Sequence, residues 1–132
     1  MNISENSVGY LTVMVTTARG AIPLEGATVN VRNDAPDSSE IIYSLLSDRD
    51  GKTQKVSLPT PPMSNSTAPN SAPAFATYNI DVFKDGYIPL YFHNVPIFPS
   101  VISVQPAVMV PEDRFSPYDD GENINTAPSS SL

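Results

Sequence analysis

Side chains that could perform catalysis are scarce in this sequence. The chain contains no Cys, and His93 is its single imidazole. A thiol nucleophile, a disulfide framework and a Cys-based zinc site are therefore excluded, and one His cannot build a multi-histidine metal centre. No nucleophile-elbow sequence is present, and we expect His93 at the end of a strand. The inventory predicts a chain that is not an enzyme and holds no cofactor.

Asp48 and Asp50 form the one candidate pair for metal binding. Carboxylates at alternate positions before a glycine, here Gly51, resemble the start of a calcium loop. Such a loop needs a third ligand and a closing Glu, but Lys52 and uncharged residues follow instead. An Asp-Gly pair after a strand is also a strong turn signal. We therefore favour a turn with solvated acids and predict no metal site.

Four aromatic residues could form a surface for a ligand or a protein partner. Tyr10, Tyr43, Phe83 and Tyr91 fall on the outward phases of their strands, where several could share one sheet face. Alternatively, these rings cover a sheet edge or pack beneath a loop, since isolated surface aromatics are ordinary. Asp81 also falls on an outward phase in the middle of a strand, and we expect it to face solvent.

Charge and composition narrow the class of protein further. The chain has 132 residues and a net charge of −7, which argues against nucleic-acid binding because phosphates require a basic face. The first fifteen residues lack the basic and apolar regions of a signal peptide. If Met1 is the native start, we expect synthesis in the cytoplasm; the alternative is a signal or a further domain upstream. No apolar run approaches the roughly 20 residues of a membrane helix, so we expect no membrane insertion.

The 14 Pro residues leave little room for helices, and alternation of apolar and polar residues is typical of half-buried strands. Seven strands are predicted, at 9–16, 27–32, 41–47, 53–58, 77–84, 87–92 and 101–110. The third is apolar on both faces and is expected at the centre of a sheet, with the fourth returning beside it as a hairpin. Predicted core residues are Val13, Val29, Leu46, Ile80 and Val104. The fold class is all-β, a single two-sheet sandwich.

Three regions around the strands are expected to lack regular structure. Residues 1–8 form a flexible N-terminus, and the sandwich occupies 9–111. A Pro-rich stretch at 59–75 is expected to be a long exposed loop. Residues 112–132 have few apolar side chains and are expected to be a disordered acidic and Ser-rich tail.

Three segments follow recognisable patterns. Residues 20–31 are similar to G-x-P-L-x-G-A-x-V-x-V, residues 47–59 to T-D-x-D-G…L-P, and residues 78–87 to Y-x-L-x-V-x-x-x-G-Y. With these patterns the chain resembles carboxypeptidase regulatory-like domains. The segments occur in the family's order and extend over about residues 9–110. The resemblance implies a seven-stranded Greek-key sandwich of the transthyretin (prealbumin)-like type. It is specific for the fold and not for an activity.

A closer resemblance is to domains of this type in spore-forming Firmicutes. The matching segments are 9–27, 41–53, 56–62 and 94–99. Those domains occur beside peptidoglycan-binding repeats, although this chain contains no recognisable repeat of that kind. The resemblance implies a non-catalytic structural or interaction module of a bacterial cell-wall or spore-cortex protein. The alternative is a carbohydrate-binding module that contacts peptidoglycan directly.

Overall fold

The computed structural model describes residues 7–34, 40–62 and 74–112. The described residues form eight β-strands and one short 3₁₀ turn, Ala18–Gly20. The strands are β1 (Ser7–Thr17), β2 (Ile22–Pro23), β3 (Thr28–Asn33), β4 (Ile41–Leu46), β5 (Val56–Thr60), β6 (Ala76–Phe83), β7 (Leu90–Ile97) and β8 (Ile102–Val108). The predicted all-β character is confirmed. None of these residues forms a helix long and apolar enough to cross a membrane.

The strands assemble into two four-stranded sheets. In the first sheet, β1 pairs with β2 and β5 in antiparallel fashion and with β8 in parallel. The second sheet has the order β4-β3-β6-β7, and all of its pairs are antiparallel. The predicted two-sheet sandwich is therefore present.

The core lies between the inward faces of the two sheets. Val13, Val29 and Ile80 have no solvent exposure, which confirms three of the five predicted core residues. Their neighbours at two-residue spacing on the same strands are also buried, because side chains alternate between the faces of a strand. Ala107 and Met109 fill the core beside the first sheet.

Two predicted core residues are wrong: Val104 is 59% exposed and Leu46 is 66% exposed. The strand register explains both. Val104 pairs with Thr12, and Leu46 pairs with Thr28, on faces that point away from the core. Two residues that pair across neighbouring strands direct their side chains to the same face of the sheet. The pairing register therefore decides whether each of them is buried.

The predicted centre of a sheet at 41–47 is also wrong, because β4 is the edge strand of the second sheet. It pairs with β3, whereas β5 pairs with β1 in the first sheet, so the turn at Asp50 and Gly51 connects two sheets instead of closing a hairpin. Local turn chemistry therefore identified the turn but not the partner of the next strand.

Several boundaries differ from the predictions. β1 begins at Ser7, inside the expected flexible N-terminus, and β5 continues to Thr60, inside the expected loop. At the other end, Pro111 forms an isolated antiparallel bridge with Tyr87. The expectations for residues 1–6, 63–73 and 113–132 lie outside the described residues.

Candidate binding surface

The outer face of the second sheet carries a row of side chains that runs across all four strands. Ser44, Asn30, Asp81 and Tyr91 occupy paired positions on β4, β3, β6 and β7. Ser44 Oγ donates a hydrogen bond of 2.8 Å to Asn30 Oδ1. The register thus places a hydroxyl, an amide, a carboxylate and a phenol side by side.

Asp81 was expected to face solvent, but it is only 7% exposed. It does lie on the outer phase of β6, as the alternation indicated. Arg32 on β3 covers it, and the Arg32 Nε donates to Asp81 Oδ2 at 2.6 Å. A charge-assisted pair of this length satisfies a carboxylate that would be costly to bury alone.

Phe83 and Tyr91 form the aromatic part of the same face. Their ring centroids are 5.8 Å apart at an interplanar angle of 77°, the edge-to-face arrangement favoured by aromatic quadrupoles. Tyr91 is 56% exposed, so most of its ring remains available to a ligand or partner. Of the four aromatic candidates, these two lie on the same sheet face.

A hollow of about 660 Å³ lies next to Phe83, at the end of the sandwich. We call it the end hollow. Apolar and charged groups line it together: Gly26, Thr28, Phe83, Lys84, Asp85, Gly86, Tyr87, Pro89 and Glu112. The half-buried Tyr87 ring packs against the core and also lines the hollow. Phe83 joins the end hollow to the Tyr91 ring.

The other two aromatic candidates lie elsewhere. Tyr10 is on the outer face of the first sheet, where Lys55 Nζ lies 5.2 Å from its ring centroid. Tyr43 is half-buried against the core, and its hydroxyl donates to the Ser57 carbonyl at 2.8 Å. Its expected outward orientation is wrong, because the ring turns inward between the sheets. The four aromatics therefore do not form one surface.

The acids at the candidate metal pair serve a turn. Asp48 Oδ1 accepts hydrogen bonds from the backbone N–H groups of Asp50 and Lys52, at 2.8 and 3.0 Å. This is the side-chain-to-backbone pattern that stabilises an Asx turn. Among the described residues, no group of three or more His, Cys, Asp and Glu side chains is placed to hold a metal ion. His93 was expected at the end of a strand, but it lies within β7 and is exposed.

Asn30, Arg32 and Ser44 were not identified by sequence reasoning. Each lies on a polar phase of its strand, and such positions are ordinarily solvated. The one available signal was a cation on one strand and an acid in the middle of another. That signal could be interpreted only with the β3–β6 register, in which Arg32 lies beside the Asp81 position.

Comparison with known proteins adds support for the fold. No family model matches the chain, and no curated protein matches it. Among solved structures, the TIE protein of Bacillus anthracis aligns at 15% identity with a TM-score of 0.50 over 78% of this chain and 16% of that chain. A 3-chlorocatechol 1,2-dioxygenase from Rhodococcus opacus 1CP aligns at 13% identity with a TM-score of 0.52 over 85% and 64%, respectively. The chain thus spans less than two thirds of either protein. At these identities the likeness concerns the β-sandwich alone.

Proposed function

We propose that the chain is a transthyretin-like domain of the carboxypeptidase regulatory-like type. The strand order supports this assignment, since β1 lies between antiparallel β5 and parallel β8 opposite a β4-β3-β6-β7 sheet. The motif glycines also have structural roles in the turns. Gly26, Gly51 and Gly86 adopt φ values of 81°, 81° and 84°, a region that favours glycine.

We propose that the chain binds a protein partner, as a non-catalytic structural or interaction module of a bacterial cell-wall or spore-associated protein. The observation that carries this proposal is the continuous surface formed by Tyr91, Phe83 and the end hollow. Interface cores are enriched in aromatic side chains and are surrounded by a polar rim. Here the exposed rings adjoin the charged side chains that line the end hollow. Two of the acids already have structural partners, since Asp48 stabilises a turn and Asp81 pairs with Arg32.

Direct binding of peptidoglycan glycan is the second candidate function. The exposed Tyr91 ring favours it, because a flat apolar face can cover one side of a sugar ring while polar groups in the row bond hydroxyls. Ser44 and Asn30 offer such groups on the same face. A protein partner would instead contact the rings and the end hollow together.

A binding assay on purified sacculi separates the two candidates. The full chain should be titrated onto intact sacculi and onto glycan strands stripped of peptide, alongside Tyr91→Ala and Tyr10→Ala. Glycan recognition predicts saturable binding to both materials that Tyr91→Ala weakens about tenfold or more, as for a truncated aromatic anchor. Tyr10→Ala is the matched control, because Tyr10 lies on the other sheet and should leave binding unchanged.

A module for a protein partner predicts no saturable binding to stripped glycan and capture of a wall protein that Tyr91→Ala abolishes. Release of soluble fragments from sacculi by the purified chain would contradict the non-catalytic proposal. Equal loss of binding in Tyr91→Ala and Tyr10→Ala would show that neither candidate uses the Tyr91 surface.

A further inference from the structure

β8 is a sheet edge with an apolar exposed face. It pairs with β1 on one side, and no other strand of the described chain pairs with it. Ile102, Val104 and Val108 are 57%, 59% and 41% exposed. A long, regular and apolar edge strand offers a template for pairing with another strand, and most proteins protect such edges.

Two hydrogen bonds show which backbone groups of β8 remain on the free side. Tyr10 donates to the Val101 carbonyl at 2.9 Å, and Met109 donates to the Thr16 carbonyl at 2.7 Å. Odd-numbered residues of β8 therefore direct their backbone groups toward β1. Backbone direction alternates along a strand, so the even-numbered residues present N–H and C=O groups to the free edge. Pro106 is the exception, because it has no N–H to present.

The charge distribution selects the kind of partner. No charged residue occurs from Val101 to Pro111, although the whole chain carries a net charge of −7. Two acidic molecules repel each other unless their contact is made through an uncharged surface. A second copy of the chain brings an identical uncharged edge, so β8 against β8 is an approach that avoids this repulsion.

Both edges of the second sheet are less regular. The pairing of β3 with edge strand β4 shifts register between Val31 and Arg32, and that of β6 with edge strand β7 shifts between Tyr78 and Ile80. β7 also contains Asn94 at a φ of 58°. Bulges and kinks of this kind protect an edge against further pairing. The β1–β8 register runs from Ile102 to Val108 without a shift.

We propose that β8 pairs in antiparallel fashion with β8 of a second copy, about a two-fold axis beside Gln105. In this register Ile102 faces Val108 of the other copy, and the two residues exchange both backbone hydrogen bonds. Val104 faces Pro106, where its N–H donates to the Pro106 carbonyl and the missing proline N–H is tolerated. A register centred on Val104 would instead place Val108 opposite Ser100, whose φ of 64° lies outside a strand.

The chain offers a clean crosslinking test, because it contains no Cys. In the proposed register, Gln105 lies directly opposite Gln105 of the second copy in a non-hydrogen-bonded pair. The Cα atoms of such a pair are about 4.5 Å apart, which suits a disulfide. Gln105→Cys should therefore crosslink in a glutathione buffer at least tenfold faster than Leu46→Cys. Leu46 is the matched control, since it is an exposed apolar residue on edge strand β4.

Sedimentation equilibrium provides the second measurement. A seven-residue edge is a small interface, so we expect a concentration-dependent dimer of twice the 14.2 kDa chain mass. Val104→Lys should raise the dimer dissociation constant at least tenfold, whereas Leu46→Lys should leave it unchanged. Far-ultraviolet circular dichroism checks that both variants are folded.

Three results would overturn the proposal. The first is a monomer at every concentration tested, which would leave the edge to a different protein partner. The second is a dimer equally sensitive to Val104→Lys and Leu46→Lys. The third is crosslinking of Gln105→Cys no faster than that of Leu46→Cys. These outcomes do not depend on binding to sacculi, so the dimer and the proposed function are tested separately.

Discussion

Asp81 is an acidic residue in the middle of a strand, and its environment makes it structural. Its side chain is 10% exposed and pairs with that of Arg32, which is 30% exposed. Asp81→Ala leaves the guanidinium without this carboxylate, so we expect a loss of about 1–3 kcal/mol in unfolding free energy. The exposure of Arg32 keeps this below the cost of breaking a fully buried pair. Urea denaturation would measure the change.

Asp50→Ala is the matched control for this residue, because Asp50 is an exposed acid in a turn. Its effect should lie within about 0.5 kcal/mol, as for most surface substitutions. If Asp81→Ala and Asp50→Ala lowered the unfolding free energy equally, the Arg32–Asp81 pair would contribute no more than the removal of one negative charge.

At the scale of elements, the approach of β1 to the end of β7 depends on Gly9. A Cβ added there would lie 2.3 Å from the Phe98 carbonyl oxygen and 2.5 Å from Ile97 Cγ2. Because backbone must move to relieve this overlap, we expect Gly9→Ala to cost about 1–3 kcal/mol of unfolding free energy. Thermal unfolding followed by circular dichroism would show the loss as a lower midpoint.

Gly86 provides the control for Gly9, because a Cβ added at Gly86 would meet no other atom within 4 Å. Its φ of 84° is one that Asn tolerates, so Gly86→Asn should cost less than Gly9→Ala. A Gly9→Ala variant as stable as the unchanged chain would show that β1 and the β7–β8 turn are not in close contact.

At the scale of the whole molecule, two tyrosine hydroxyls connect the sheets. Tyr43 donates to the Ser57 carbonyl and Tyr78 to the Pro59 carbonyl, so both tie the second sheet to β5. Burial raises the pKa of Tyr78 above its ordinary value of 10.0, and the neighbouring Tyr43 raises it further. The folded state therefore favours the neutral phenol more strongly than the unfolded state does.

This raised pKa predicts alkaline destabilisation with a definite sign. The stability that Tyr78 contributes is fully present below pH 10.0, the unfolded value, and is lost as pH rises through the higher folded pKa. In Tyr78→Phe the urea midpoint should fall less steeply above that pH. At neutral pH this variant should lose about 1 kcal/mol of unfolding free energy, because the hydrogen bond is lost. Tyr91→Phe, which removes the hydroxyl of an exposed ring on the outer face, is the matched control variant.

Local patterns in the sequence determined the fold class and much of the core. Alternation on β1, β3 and β6 identified Val13, Val29 and Ile80 as buried, because only one face of each strand is apolar throughout. The glycine-containing turn at Gly51 followed from its Asp-Gly pair. The lack of Cys and the single His excluded thiol, disulfide and multi-histidine metal chemistry, and that conclusion does not depend on the fold.

Only the tertiary structure decided the buried faces and the neighbours of β4 and β8. β4 carries apolar residues on both phases, so periodicity could not choose its buried face. On β8 the more apolar phase, which includes Val104, is the exposed one. Pairing with β3 and β1 decided both faces. The same register placed Arg32 over Asp81 and brought Phe83 to Tyr91, while it separated Tyr10 and Tyr43 from them. Burial of a strand residue depends on the strand with which it pairs, and the local sequence does not identify that strand.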